Sequence, residues 1–234
     1  MRLAVALLVA VLGWPSPAAA VAHGEPAPPG RYAFAVPLTM TGIPRPDGSH
    51  YDSACSGALV AHRWVVTAGH CFHDAARNPV GGPVPYPTSV TVGGAEVAVV
   101  EVVQAPAGDV ALARLARPVR GVRPLRIART QPRPGDVLRL AGWGSLTSED
   151  PVPSARLQTG LVRVTSVAPT TAGVTGYAPA PDTSACPYDS GAPYFTARLR
   201  LVSVESGGPD CPHAGEETTA RVDVLARWIA RTTR

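Results

Sequence analysis

Cys186-Pro187-Tyr188-Asp189-Ser190-Gly191-Ala192-Pro193 places a serine in a turn that opens on a cysteine and ends on a proline. Asp-Ser-Gly by itself is an ordinary turn tripeptide, since all three residues favour turns. Two distant stretches change its meaning: Thr67-Ala68-Gly69-His70-Cys71 and Gly108-Asp109-Val110-Ala111-Leu112. A serine hydroxyl becomes a nucleophile when a base takes its proton. An imidazole base in turn needs a carboxylate to fix its tautomer and stabilise the imidazolium. The chain supplies all three in the order His70, Asp109, Ser190, and these are the candidate catalytic residues.

Composition bounds the setting. The 234 residues are 45% hydrophobic and 16% charged, which is globular and long enough to bury a sizeable core. The 26 prolines and 23 glycines favour turns and short strands over long helices. All 21 basic residues are arginine, a bias that suggests a GC-rich coding sequence and a bacterial, actinobacterium-like source. Met1-Arg2, the apolar run Leu3 to Leu12, and Ala18-Ala19-Ala20 read as a signal peptide over residues 1–20. That run is too short to span a bilayer as a stable helix, so the expectation is a secreted, extracellular protein with no membrane association after leader removal. Cleavage after Ala22 also fits Ala-x-Ala, leaving Val21 or His23 as the mature N-terminus. A net charge of +4, including Arg2 of the leader, is too small to argue for nucleic acid. Arg114, Arg117, Arg120, Arg123, Arg126 and Arg129 recur at every third position, but prolines and glycines interrupt them, and the stretch reads as a solvated connector. Four cysteines fit an exported chain and allow three pairings. No metal-ligand spacing is present, and no cofactor is expected.

From Arg31 onward, short β-rich runs alternate with turn signals: Tyr32 to Leu38, Ala58 to Val60, Trp64 to Thr67, Ser89 to Val92 and Val97 to Val103. A proline-rich connector follows, and then Val137 to Ala141, Leu157 to Val164, Pro193 to Thr196 and Leu199 to Val204. Such spacing points to an all-β barrel or sandwich. Val222, Leu225, Ala226 and Ile229 recur at helical spacing near the end.

On these residues the chain resembles the chymotrypsin/trypsin family of serine peptidases. The family's histidine motif is matched by Cys55-Ser56-Gly57-Ala58-Leu59-Val60 and Trp64-Val65-Val66-Thr67-Ala68-Gly69-His70-Cys71, its aspartate motif by Asp109-Val110-Ala111-Leu112, its mid-chain motif by Gly142-Trp143-Gly144, and its Gly-Asp-Ser-Gly-Gly-Pro by Tyr188 to Pro193. The resemblance implies an all-β fold of two six-stranded antiparallel β-barrels with a short C-terminal helix and the chemistry in the cleft between them. The protease domain would cover 21–234, with barrels at about 21–125 and 131–220 and the helix at about 221–233. It further implies disulfides Cys55–Cys71 and Cys186–Cys211, and Ser206 as a support for Asp109.

The resemblance also locates departures. The family's oxyanion hole uses the backbone N–H of the serine and of the residue two before it, here Ser190 and Tyr188. Glycine is usual at the latter position and tolerates conformations that tyrosine resists; Ala192 also replaces a glycine. The position at the base of the specificity pocket is Ser184, not aspartate. Glu205, Gly208, and Glu216 or Glu217 fall where they could line that pocket, which leans towards arginine or lysine on the acyl side of the cleaved bond. Val21-Ala22-His23-Gly24 falls at the family's mature N-terminus, although Ala22 and His23 depart from its pattern, and the freed Val21 ammonium would pair with Asp189. The leading reading is therefore a monomeric secreted serine endopeptidase acting on protein or peptide substrates, with a proteinaceous inhibitor as a further class of partner. The alternative is a catalytically silent homologue that serves as a binding module. An esterase of another fold is a third reading, disfavoured by the triad order and by the lack of Gly-x-Ser-x-Gly around Ser190.

Overall fold

The computed structural model describes residues 21–234. The expected leader over residues 1–20, with its expected cleavage site after Ala20, lies outside the described residues. Period-2 patterning places one face of each strand inward; in Thr88–Val92, for example, Thr88, Val90 and Val92 are buried. The first barrel is built from β1 (Ala35–Pro44), β2 (His50–Ala61), β3 (Trp64–Thr67), β4 (Thr88–Val92), β5 (Ala95–Gln104) and β6 (Ala111–Leu115). Its antiparallel order is β5-β4-β1-β2-β3-β6, and it closes by pairing β5 with β6. The second comprises β7 (Val137–Gly142), β8 (Gln158–Val167), β9 (Thr171–Ala178), β10 (Pro193–Phe195), β11 (Arg200–Gly207) and β12 (Glu217–Arg221). Its order is β8-β7-β10-β11-β12-β9, closed by β8 on β9. These are two closed six-stranded barrels, as the family resemblance implied, and closure removes the unpaired edges that an open sheet would expose.

Three short segments tie the barrels together. Glu25–Pro26 pairs with Thr159 and Gln158 of β8, so the N-terminal residues rest on the second barrel. The connector pairs Arg126–Ile127 in parallel with Arg200–Leu201 of β11, leaving Arg123, Arg126 and Arg129 exposed. Tyr32 and Phe34 from the first barrel meet Phe195 from the second edge-on, with centroids 5.1 and 5.2 Å apart. Such aromatic contacts add to plain area burial.

The structure differs from the sequence reading in two strands and at one helix end. Strands β9 and β12 have no counterpart among the expected runs. The helix α1 spans Ala226–Thr232 rather than starting near residue 221. Val222 and Leu225 are buried as their spacing suggests, but they sit in a turn in which Leu225 N–H donates to Val222 C=O. Arg221 grips Asp223 through two guanidinium nitrogens and holds that turn out of the helix.

Candidate active site

Strand register brings the first two groups together. Thr67 of β3 lies opposite Ala111 of β6, so the residues just after β3 and just before β6 emerge side by side. Those residues are Gly69–Cys71, a single 3-10 turn, and Asp109. The Cys55–Cys71 disulfide staples the turn to β2, and Gln104 Nε2 donates to the carbonyls of Gly69 and Val80, each at 3.0 Å. Gln104 was not singled out from the sequence, where a lone glutamine at a strand end carries no signal. The third group comes from the long loop between β9 and β10, held by Cys186–Cys211 and by Ser56 N–H donating to Ser190 C=O at 2.9 Å.

The side chains form one continuous chain. Ser190 Oγ lies 2.8 Å from His70 Nε2, His70 Nδ1 lies 2.7 Å from Asp109 Oδ2, and Ser206 Oγ donates to the same Oδ2 at 2.7 Å. His70 backbone N–H donates to Asp109 Oδ1 at 2.8 Å, so the carboxylate is satisfied on both oxygens. With Nδ1 protonated towards Asp109, Nε2 is left as an acceptor facing the serine hydroxyl. Burial pushes the Asp109 pKa up, but the hydrogen bond and charge of His70, then the Ser206 hydroxyl, outweigh it and hold the group below its ordinary value.

The serine loop is shaped by buried Asp189. Its Oδ1 accepts Gly144 N–H at 2.8 Å and its Oδ2 accepts Cys186 N–H at 3.1 Å. A Cβ at Gly142 or Gly144 would overlap this carboxylate, which explains both glycines of Gly142-Trp143-Gly144. Tyr188 adopts φ +75°, the left-handed region that glycine would supply without strain. Ser56 Oγ accepts Trp143 N–H and donates to Tyr188 C=O, while Tyr188 Oη donates to Pro151 C=O at 3.2 Å. Among the described residues, the N–H groups of Tyr188 and Ser190 have no protein acceptor. Ala192 is fully buried with no strained φ.

Beside Ser190 lies a pocket of about 210 Å³ whose lining includes Ala185, Cys186, Gly208, Glu205 and Glu217. Glu217, not Glu216, reaches it: Glu216 is exposed and bonds Thr165. Glu205 and Glu217 are 4% and 2% exposed, and Tyr194 Oη contacts both. Ser184 does not line this pocket; it is buried behind it, with Oγ accepting His213 N–H and its own N–H donating to Ala22 C=O. Tyr194 and His213 were missed from sequence because their importance depends on which carboxylates fold against them. Val21 is fully buried in the second barrel's apolar cluster with Ala192 and Tyr194. A larger cleft of about 1030 Å³, between the connector and α1, contains no member of the Ser190–His70–Asp109 chain. Among the described residues no cluster suited to a metal ion occurs, and no helix is long and apolar enough to cross a membrane.

Comparison with known proteins agrees with this architecture. Residues 21–229 match the Trypsin family model. Human serine protease 56 is 30% identical over 245 residues, covering 89% of this chain and 38% of that protein. Bovine proproteinase E is 30% identical over 166 residues, covering 63% of this chain and 62% of that protein. The solved structure of neuropsin, a serine protease of mouse brain, superposes with a TM-score of 0.73 at 20% identity, covering 92% of this chain and 100% of that one, a likeness of fold. These relatives are animal proteins and lend no support to the bacterial type expected from composition. The chain belongs to the trypsin family, the trypsin-like serine proteases.

Proposed function

We propose that the protein is a serine endopeptidase. The observation that carries the reading is the unbroken hydrogen-bond chain Ser206–Asp109–His70–Ser190. Ser190 Oγ attacks the scissile carbonyl while His70 Nε2 takes its proton, and Asp109 keeps Nδ1 protonated and stabilises the imidazolium. The unpaired N–H groups of Tyr188 and Ser190 donate to the oxyanion as charge develops. His70 then protonates the departing amine, and water hydrolyses the acyl-enzyme by the same steps in reverse. The carboxylates of the pocket beside Ser190 favour arginine or lysine on the acyl side, since a buried carboxylate without a cation is costly. Export through the 1–20 leader fits the two disulfides, and the reading is of a monomer acting on protein or peptide chains outside the cell.

Activation would follow from the placement of Val21. Cleavage after Ala20 would turn the Val21 amide into an ammonium, and Asp189 is the buried carboxylate with which it would pair. The competing reading, a silent homologue that binds without cleaving, draws on a single feature: tyrosine, not glycine, holds the left-handed position at 188. A fluorophosphonate probe separates the two. The wild type should label at Ser190, and Ser190→Ala and His70→Ala should each abolish labelling. Folded wild type that stays unlabelled would overturn the catalytic reading.

A further inference from the structure

Tyr194 is fully buried in β10, and its hydroxyl meets two carboxyl groups: Glu205 Oε2 at 2.6 Å and Glu217 Oε2 at 2.6 Å. A phenol has one hydrogen. It donates to one partner, and towards the other its oxygen acts as acceptor. An ionised carboxylate has no hydrogen to give, so both short contacts are satisfied together when one glutamate is a carboxylic acid. With both ionised, one close O···O contact would have no hydrogen between its atoms, and two like charges would face each other out of reach of solvent.

The surroundings decide which glutamate holds the proton. Glu217 Oε1 accepts Ala185 N–H at 2.5 Å and lies 3.5 Å from His213 Nε2, contacts that favour its ionised form. Glu205 has Glu217 and Asp189 as acidic neighbours, and among the described residues Tyr194 is the side chain hydrogen-bonded to its carboxyl. Burial, then the Glu217 charge, drives Glu205 well above the usual carboxylate range; burial raises Glu217 too. Among the described residues no arginine forms an ion pair with either glutamate.

We infer that Glu205 is a carboxylic acid donating to Tyr194, that Tyr194 donates to ionised Glu217, and that this unit stores a proton which a cationic substrate side chain displaces. The inference rests on the reading of this cavity as the side-chain pocket. The balance is simple: cation enters, Glu205 O–H ionises, and one proton leaves to solvent. The pocket floor thus carries one negative charge at rest and two when a guanidinium or amidinium is bound. Tyr194 and Glu205 are then specificity-determining residues. Basic substrates gain affinity as pH rises through the range in which Glu205 titrates, and substrates with neutral side chains do not.

Benzamidine, a small planar amidinium, is the probe. Calorimetric titration near neutral pH, in buffers of different ionisation enthalpy, should show about one proton released per benzamidine bound, with Kd falling up to about tenfold per pH unit. Glu205→Gln keeps a donor aimed at Tyr194 and has no proton to lose, so its release should drop close to zero and its affinity should lose this pH dependence. Failure of wild type to bind benzamidine, binding without proton release, or undiminished release by Glu205→Gln would each overturn the inference. Should Glu205→Gln not fold, infrared difference spectra of wild type decide. Loss of a protonated-carboxyl band on adding benzamidine supports the stored proton, and an unchanged band overturns it. Fluorophosphonate labelling of Ser190 reads the catalytic proposal separately, so a protein that labels but releases no proton loses only this inference.

Discussion

Asp109 and Asp189 are both carboxylates withdrawn from solvent beside the same serine, and their pKa values move in opposite directions. Burial is the largest influence on each. At Asp109 it is outweighed by an imidazole that can carry positive charge and by two further donors, a hydroxyl and a backbone N–H. At Asp189, fully buried, two backbone N–H groups are not enough, and the nearby Glu217 charge adds to the rise, so the pKa reaches about 7. The difference teaches that two backbone donors offset complete desolvation only in part, whereas an imidazole, a hydroxyl and a backbone N–H on a partly exposed carboxylate more than offset it. The first barrel supplies the His70 ring N–H, the His70 backbone N–H and, across the cleft, the Ser206 hydroxyl to one carboxylate. The second, among the described residues, places only the backbone N–H groups of Gly144 and Cys186 on Asp189.

Breaking the Asp109 side should give the largest effect. Asp109→Asn preserves shape but lets His70 adopt the tautomer with Nδ1 as acceptor, so kcat should fall by about 10⁴-fold while KM changes little. Steady-state kinetics on a peptide ester checks this; a loss under tenfold would mean that the carboxylate does not hold the tautomer.

The Asp189 side should show next, as a stability slope. A carboxyl raised from 3.8 to about 7 binds more protons folded than unfolded between those values, so folding stability declines as pH rises across that window. At about 1.4 kcal/mol per unit the loss is on the order of 4 kcal/mol, with Glu205 and Glu217 contributing in the same direction. Asp109 has the opposite sign: its contribution is present above the ordinary carboxylate value and is lost as pH falls through its lowered one. Thermal melts of a chain carrying an extra residue before Val21 should therefore decline from pH 4 to 7. Protein beginning at Val21 should lose much of that slope, and Asp189→Asn should flatten it in the extended form. Identical slopes in the extended and Val21-initiated proteins would rule out the ammonium as the partner of Asp189.

The same contrast explains what could be read from sequence. The histidine side was legible because its signals are local: a β-branched strand, a disulfide cysteine and a histidine in eight consecutive residues. Strand β12 was not, because its inward positions are Glu217, Thr219 and Arg221, polar residues that no hydrophobic pattern marks. Each is buried by a partner elsewhere in the chain: Tyr194 for Glu217, Ala172 C=O for Thr219, and Ala168 C=O with Asp223 for Arg221. Strand β9 hides for a different reason, since Gly173 and Gly176 interrupt the alternation in Thr-Ala-Gly-Val-Thr-Gly-Tyr-Ala. The pocket was half legible. Its acidic side chains stand in the sequence, but the phenol joining them depends on three strands meeting.

The smallest expected effect concerns Tyr188, where the sequence raised the sharpest doubt about the serine side. A non-glycine residue at φ +75° is strained by roughly 1–2 kcal/mol. Against that strain stand its hydroxyl bond to Pro151 and the Ser56 bond to its carbonyl, each worth about 1 kcal/mol net. Tyr188→Gly keeps the backbone N–H and the Ser56 bond, relieves the strain and loses only the Pro151 tether, while glycine also adds freedom to the unfolded chain. The terms nearly cancel, so stability should change by no more than about 1 kcal/mol and kcat/KM by less than about tenfold. A gain of about 10²-fold or more on Tyr188→Gly would be the size expected when a missing oxyanion donor is restored. It would mean that the wild-type loop does not present its Tyr188 N–H to the reaction, and that the silent-homologue reading holds for the native sequence.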